Sequence, residues 1–293
     1  EKQRSLASMQ AIKISVKEEG WYRVSQPELI AAGLHPSTNP RRLQLFVDGK
    51  EQPISVTGEK DGKFDPQDAI EFYGAGLDTP STDTRVYWLV AESRRGKRTQ
   101  VYKGRGGQLA DESFPYTAEK KDRTIYFAAL KNGEEDNFFG PVITAAEEVN
   151  QLLNLRHLDP SPPSDALLEV ALQGATNVPH RVKVLLNEAE VGEVVFDGQS
   201  LGTTGFTIPQ ALLLEGDNLV TLIAEGGEMD VSVVDYIRLT YWHTYTAEDD
   251  ALKFTAQGGK QISLNGFSNS NIRVMDITDP NALLKVAGTV KSQ

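Results

Sequence analysis

Carboxylates are the side chains of this sequence whose spacing most invites chemistry. Asp61, Asp65 and Asp68 fall within one short run, Asp61-Gly62-Lys63-Phe64-Asp65-Pro66-Gln67-Asp68, with Glu59 just upstream. Three hard oxygen donors on one Gly- and Pro-containing loop suit Ca²⁺, which takes roughly 6–8 oxygens in a flexible shell. The spacing is not that of an EF-hand, whose acids alternate along the loop and end on a distal Glu. A solvated turn, with Asp65 bonding the backbone ahead of Pro66, explains the same residues. Glu71, Asp78 and Asp83 add oxygens only if folding brings them to the loop. The neighbouring acids Glu134/Glu135/Asp136, Glu147/Glu148 and Asp249/Asp250 read as solvated faces, because glycosidase chemistry needs two carboxyls opposed across about 5–9.5 Å.

Other chemistries find less support. His35, His157, His180 and His243 contain no His-x-x-x-His pair, so no imidazole metal site is expected. His180 opens a strand pattern and His243 follows one, where sheet-edge packing accounts for them. No Gly-x-Ser-x-Gly elbow supports a Ser-His-Asp triad. Gly104-Arg105-Gly106-Gly107 lacks the Lys-Ser/Thr of a phosphate-binding loop and reads as a plain loop. The 293 residues contain no cysteine, which removes disulfides, thiolate zinc and a cysteine nucleophile from this chain. Tyr236, Tyr241 and Trp242 are the candidate sugar-binding residues, since a sugar groove uses exposed aromatics and a few polar groups. Tyr236 and Tyr241 are an odd number of residues apart, so an unbroken strand points one of them outward and the other into the core.

The elements that must position these residues are strands. Leu167–Leu172, Arg181–Leu186, Leu219–Ala224 and Val231–Tyr241 are apolar runs separated by polar, Gly-rich connections. Val182, Val184 and Leu186 repeat with the period of two that a half-buried strand requires. The fold class expected is all-β and multi-domain, with a central jelly-roll-like β-sandwich over 166–247. A mostly β N-terminal domain occupies 1–105. Ala11–Lys17 reads as its first strand, with Trp21–Val24 as hairpin partner after the turn at Glu19-Gly20. Ser25 to Glu28 is a capping box opening a short helix that ends at Gly33. Asp48-Gly49 marks a hairpin between Leu43–Val47 and Gln52–Val56. Residues 106–165 read as a connecting segment, closing in the Pro-rich linker Asp159–Ser164. Residues 248–293 hold short strand patterns that read as the start of a third β-domain.

A formal charge of −11 and a pI near 5.0 argue against nucleic-acid binding. The basic cluster Arg94, Arg95, Lys97 and Arg98 reads as a solvated hairpin tip. No apolar run approaches the roughly 20 residues needed to span a bilayer. The sequence opens at Glu1 without Met or a signal-peptide pattern, which suggests a processed or trimmed product.

Three stretches together carry a resemblance. They are Gly20-Trp21-Tyr22-Arg23-Val24 with Glu28-Leu29 and Ala32-Gly33; Phe64 to Gly74 running on to Thr84-Arg85-Val86-Tyr87-Trp88-Leu89; and His180-Arg181-Val182 through Val234-Asp235-Tyr236-Ile237 to Val274–Pro280. In this order, over roughly residues 11–288, the chain resembles the non-catalytic region in front of the caspase-like domain of gingipain-type cysteine peptidases. That group includes the sortase-like component of the type IX secretion system. The resemblance implies a secreted or bacterial cell-surface location and a non-enzymatic scaffold or propeptide-like role. It also implies a caspase-like peptidase domain as partner, in cis or in trans. The family's catalytic Cys and His lie in the following domain, so no catalytic residue carries over. Val234–Leu239 is also similar to the closing strand of carbohydrate-binding jelly rolls, which gives the alternative of a module for surface glycan. A structural subunit of an extracellular assembly, pairing through exposed strand edges, is a third reading.

Overall fold

Alternating apolar and polar residues set the layout, since each strand has one face to bury and the faces must meet. The computed structural model describes residues 11–77, 79, 82–104, 107–130 and 137–291. Asp78, the acidic run Glu134-Glu135-Asp136 and the pair Arg105-Gly106 lie outside the described residues. The fold is almost entirely β, and the chain forms two compact units: Glu1–Arg105 with Ser270–Gln293, and Gly106–Asn269.

The first unit holds β1 (Ile12–Val16), β2 (Gly20–Ser25), α1 (Gln26–Ala31), β3 (Leu43–Val47), β4 (Lys50–Gln52), β5 (Ser55–Val56), β6 (Ala69–Gly74), β7 (Arg85–Ala91) and β8 (Gln100–Lys103). The hairpin expected between β1 and β2 does not form. β1 pairs with β7 in the sheet β1-β7-β3-β4, and β2 pairs with β6 in the sheet β2-β6-β5. The short turn carries the chain from one sheet to the other, so both can contribute to one core. Val16, Leu43, Leu45 and Leu89 come from the first sheet, Ile70 and Phe72 from the second, and Leu29 from α1. Phe72 bridges the layers, 5.6 Å from the Tyr22 ring and 5.3 Å from that of Tyr87.

The local signals fold as expected. Glu28 accepts hydrogen bonds from both the backbone N–H and the hydroxyl of Ser25. α1 ends with Gly33 at φ +106°, where the Gly33 and Leu34 N–H groups return to the Ile30 and Leu29 carbonyls. Asp48 and Gly49 both have positive φ, as the two-residue hairpin between β3 and β4 requires. The basic run is exposed at Arg94, Arg95 and Lys97, as a solvated cluster would be, but its arginines are paired. Arg94 pairs with Glu51 at 2.8 Å, and Arg95 and Arg98 pair with Glu59 at 3.2 and 2.7 Å. Arg98 also donates to the Leu43 and Pro40 carbonyls.

The second unit contains β9 (Ser113–Lys120), β10 (Ile125–Tyr126), β11 (Phe138–Phe139), β12 (Val142–Ile143), β13 (Val149–Leu155), β14 (Ala166–Gly174), β15 (Pro179–Leu186), β16 (Ala189–Asp197), β17 (Leu201–Ile208), β18 (Gly216–Ala224) and β19 (Ser232–Thr244). It is an antiparallel sandwich. One sheet runs β12-β19-β14-β17 with β9 also on β19; the other runs β13-β18-β15-β16. Leu168, Val170, Leu172, Ile237 and Leu239 of one sheet meet Val182, Val184, Leu186, Val220 and Leu222 of the other. A bulge in β19 at Asp235 sets Tyr236 opposite Ala171 and Val234 opposite Leu172.

Two features differ from the sequence-based boundaries. Within 106–165, expected to be a connector, β9, β12 and β13 are strands of the sandwich. The Pro-rich run is a fixed loop inside this unit: Gln210 donates to the Pro162 and Ser164 carbonyls, and the Asp159 N–H bonds Trp242. Residues 248–293 do not begin a third domain. The part up to Asn269 belongs to the sandwich unit, where Phe254 packs on Phe114 and Tyr245. The remainder belongs to the first unit: β20 (Val274–Asp276) pairs with β21 (Leu284–Ala287), which runs parallel to β8. Strands this short need an existing sheet to stabilise them.

Candidate functional site

The Asp61–Asp68 loop does not assemble the expected calcium shell. Asp68 is buried at 5% exposure, and its Oδ2 accepts the Asp65 N–H at 2.8 Å. A Cβ placed on Gly58 would lie 2.0 Å from Asp68 Oδ1, so glycine at 58, with φ +75°, leaves room for that carboxylate. Asp61 is exposed and accepts the Lys63 N–H at 2.9 Å. Asp65 takes the Asp68 N–H on its backbone carbonyl. The first and last acids thus tie off their own loop through its backbone donors. The other oxygens are committed elsewhere: Glu59 to Arg95 and Arg98, Glu71 to Arg23 and Arg273, Asp83 to Lys17 and Thr84. Among the described residues no group of three His, Asp or Glu side chains is arranged to hold a metal ion.

The three aromatic candidates part company on β19. Tyr241 faces the core at 2% exposure, and its hydroxyl both accepts the Arg156 N–H and donates to the Arg156 carbonyl. Burial pushes its phenol up to about 12. Tyr236 and Trp242, of the opposite parity, lie half-buried on the outer face with Arg238 and Thr240 between them. The Tyr236 ring face is covered by the Arg238 guanidinium at 4.0 Å, and Arg238 is held by Glu119 at 2.6 Å and Glu169 at 3.6 Å. Burial and the Glu169 carboxylate raise the Tyr236 phenol above its ordinary value. Trp242 is therefore the candidate that remains for stacking on a sugar ring.

One end of the sandwich carries a groove of about 360 Å³, lined by Tyr116, Asn154, Arg156, Tyr241, Glu248 and Asp249 among others. It opens where the edge strands β9 and β13 run beside each other. Beneath it lies an aromatic cluster in which His243 sits 5.0 Å from Tyr116, 5.3 Å from Phe114 and 5.5 Å from His157, centre to centre. His243 is 2% exposed, and burial holds its imidazole below the usual histidine range. Its Nδ1 is bonded to the Thr244 carbonyl, and Arg156 pairs with Glu248 at 3.5 Å. A neutral, sealed histidine below a polar groove suits packing and recognition better than proton transfer.

His180 and Asp230 form a second buried pair, 2.6 Å apart and both with no exposure. This is the His-Asp half of a triad without access for a substrate. Of the acid pairs read as solvated, Glu147, Glu148, Asp249 and Asp250 are exposed. The groove and the His180–Asp230 pair carry no sequence motif. Their residues come from distant segments, Arg156 and Tyr241 being 85 positions apart, and no local spacing announces them.

No protein-family model matches the sequence, and no curated protein matches it. The fold is similar to that of dimeric latent PorU from Porphyromonas gingivalis, with a TM-score of 0.66 and 12% identity over 98% of this chain. The chain spans 30% of the length of that structure. Two carbohydrate-binding modules align less well. The CBM36-1 domain of a multidomain xylanase from the hindgut metagenome of Trinervitermes trinervoides gives a TM-score of 0.29 and 8% identity, over 43% of this chain and 95% of that one. A CBM36 in complex with calcium and xylotriose gives 0.27 and 17%, over 43% and 98%. These two share too little of the architecture to bear on this chain, whereas the PorU likeness extends over nearly its whole length and is a likeness of fold.

Proposed function

We propose that this chain is the non-catalytic, scaffold or propeptide-like region of a secreted gingipain-like cysteine peptidase. It supports or positions a caspase-like catalytic domain that these 293 residues do not contain, joined in cis or met in trans. The observation that carries this reading is the fold likeness to PorU, which takes in 98% of this chain and 30% of that one. The motifs from Gly20-Trp21 to Asp279-Pro280 lead to the same group by a separate route. The chain has no cysteine, so the nucleophile of such a peptidase is supplied from outside it. A rigid β-scaffold at the bacterial surface is the role that remains. Two measurements test it: the reading frame beyond Gln293, and binding of this chain to a separately expressed caspase-like domain. A downstream domain bearing His and Cys, or saturable binding in trans, supports the scaffold. A frame that stops soon after Gln293, together with no binding, overturns it.

The second reading is a carbohydrate-binding surface module, favoured by one observation: Trp242 on the outer face of β19, beside Thr240 and Arg238. Trp242→Ala is expected to lower affinity for an oligosaccharide ligand by about tenfold or more, the scale of losing a central aromatic contact. Tyr236→Phe leaves it unchanged, because that ring is already covered. Binding on a glycan array that is indifferent to Trp242→Ala removes this face from consideration.

A further inference from the structure

The groove between the edge strands β9 and β13 is lined from three sides. Tyr116, Thr117 and Glu119 come from β9, Asn154 from β13 with Arg156 just beyond it, and Glu248 and Asp249 from the segment after β19. Its walls are fixed before any ligand arrives. The buried Tyr241 hydroxyl holds both backbone groups of Arg156, at 3.2 and 3.0 Å. The Glu215 carboxylate accepts the next two N–H groups, those of His157 and Leu158, at 2.7 and 2.9 Å. Asp249 shares a two-residue turn with Asp250, at φ +48° and +63°, closed by reciprocal backbone bonds between Glu248 and Ala251. Asp250 ties that turn to the Ser268 N–H.

The groups left open in the groove decide its ligand. Most of its charges are already matched: Glu119 holds Arg238 at 2.6 Å, and Arg156 commits Nη1 to Glu248 at 3.5 Å and Nε to Asn154 at 3.2 Å. The Asp249 carboxylate, the Tyr116 hydroxyl and Nη2 of Arg156 make no hydrogen bond or ion pair among the described residues. The first accepts, the last donates, and the hydroxyl does both. An anion would meet three carboxylates, Glu119, Glu248 and Asp249, against one guanidinium. A cation would meet Arg156, and an apolar ligand would take water from charged walls. A neutral polyol avoids all three penalties. Each of its hydroxyls donates and accepts, so adjacent hydroxyls match the Asp249 carboxylate and the Arg156 fork. The half-buried Tyr116 ring gives the C–H face of a sugar an apolar surface. A volume of about 360 Å³ lies at the small end of ligand sites, which suits a short sugar. We propose that this groove binds a neutral mono- or disaccharide unit, with Asp249 and Arg156 as its hydrogen-bonding groups and Tyr116 as its apolar wall. The inference rests on the carbohydrate reading above and gives it a second site, apart from Trp242.

The test is amide NMR of the intact ¹⁵N-labelled chain, titrated at millimolar concentration with glucose, galactose, mannose, xylose, N-acetylglucosamine, cellobiose and maltose. Inorganic phosphate and N-acetyl-lysine amide serve as the anionic and cationic probes. The expected result is a saturable shift of the Thr117, Asn154, Arg156 and Asp249 amides by at least one sugar and by neither charged probe. Asp249→Gly removes the carboxylate at a left-handed position that glycine adopts freely, and Arg156→Gln removes the charge from an exposed side chain. Each should weaken sugar binding by about tenfold, the scale of a hydrogen bond to a charged group. The rest of the spectrum should stay as it is, which also reports that both variants fold. Trp242→Ala should leave the groove shifts in place. Sugar binding that is lost in Trp242→Ala and kept in both groove variants overturns the groove site and leaves the carbohydrate reading standing. Groove shifts from phosphate or the lysine derivative alone overturn the ligand class. No shift from any sugar overturns the groove site, and the glycan array then judges the Trp242 face separately.

Discussion

At the scale of single residues, several carboxylates are fixed by the backbone donors of their own loops. Asp68 is the clearest case, a buried carboxylate that closes its own loop at the Asp65 N–H beneath Gly58. Asp68→Ala leaves that donor without its partner and is expected to cost about 1–3 kcal/mol in urea unfolding. His243 makes a different prediction. Burial lowers its folded proton affinity, so on acidification the unfolded chain takes up the proton first. Stability from this residue is complete above about pH 6.5, the ordinary histidine value, and falls as pH drops below it. Unfolding midpoints measured at about pH 7.5 and 5.5 should show this slope, and His243→Phe, which suits the aromatic cluster, should flatten it. An unchanged slope in the variant would assign the pH dependence to other groups.

At the scale of elements, the turns and caps have narrow requirements that the chain meets with specific residues. Gly33 ends α1 in the left-handed region, at φ +106°. Gly33→Ala is expected to destabilise the first unit by about 1–2 kcal/mol through left-handed strain, read as a lower denaturation midpoint with no change in slope. The strands depend on their neighbours. β1 and β2, adjacent in sequence, serve opposite sheets, so that Val16 of β1 and Tyr22 and Val24 of β2 reach one core. The bulge at Asp235 has a comparable effect on β19: beyond it, Tyr236, Arg238, Thr240 and Trp242 point outward, while Ile237, Leu239 and Tyr241 point inward.

Over the whole molecule, the chain leaves its first unit at Arg105, builds the sandwich, and returns to the first unit at Ser270. The returning segment is fastened within that unit. Arg273 bonds Glu71 at 2.9 Å and lies 4.8 Å over the Trp21 ring, Asn281 accepts from Gln52, and Leu283 is buried. Leu283→Ala is expected to cost about 2–5 kcal/mol, the range for truncating a buried leucine. Hydrogen exchange should localise the effect, with faster exchange in β8 and β21 and none in β14 or β15. Loosening of the sandwich instead would mean that the two units do not respond separately.

The sequence by itself determined what depends on near neighbours along the chain. The period of two in Val182, Val184 and Leu186 specified a half-buried strand, Ser25 to Glu28 a helix start, Asp48-Gly49 a hairpin, and the absence of cysteine the lack of a thiol nucleophile. The all-β class follows from these, since no helical periodicity competes with them. The odd spacing of Tyr236 and Tyr241 foretold that one faces out, and only the bulge and the sheet order decided which. Strand partners, the fate of residues 106–165 and 248–293, and the burial of Asp68 all turned on tertiary structure. So did the groove below Arg156 and the His180–Asp230 pair. The physical reason is that pairing and burial are long-range choices: a strand joins whichever edge completes a core, and a carboxylate or imidazole takes whichever partner the folded chain brings to it. Residues 50 positions apart, such as His180 and Asp230, acquire their relationship only when the two loops close over them.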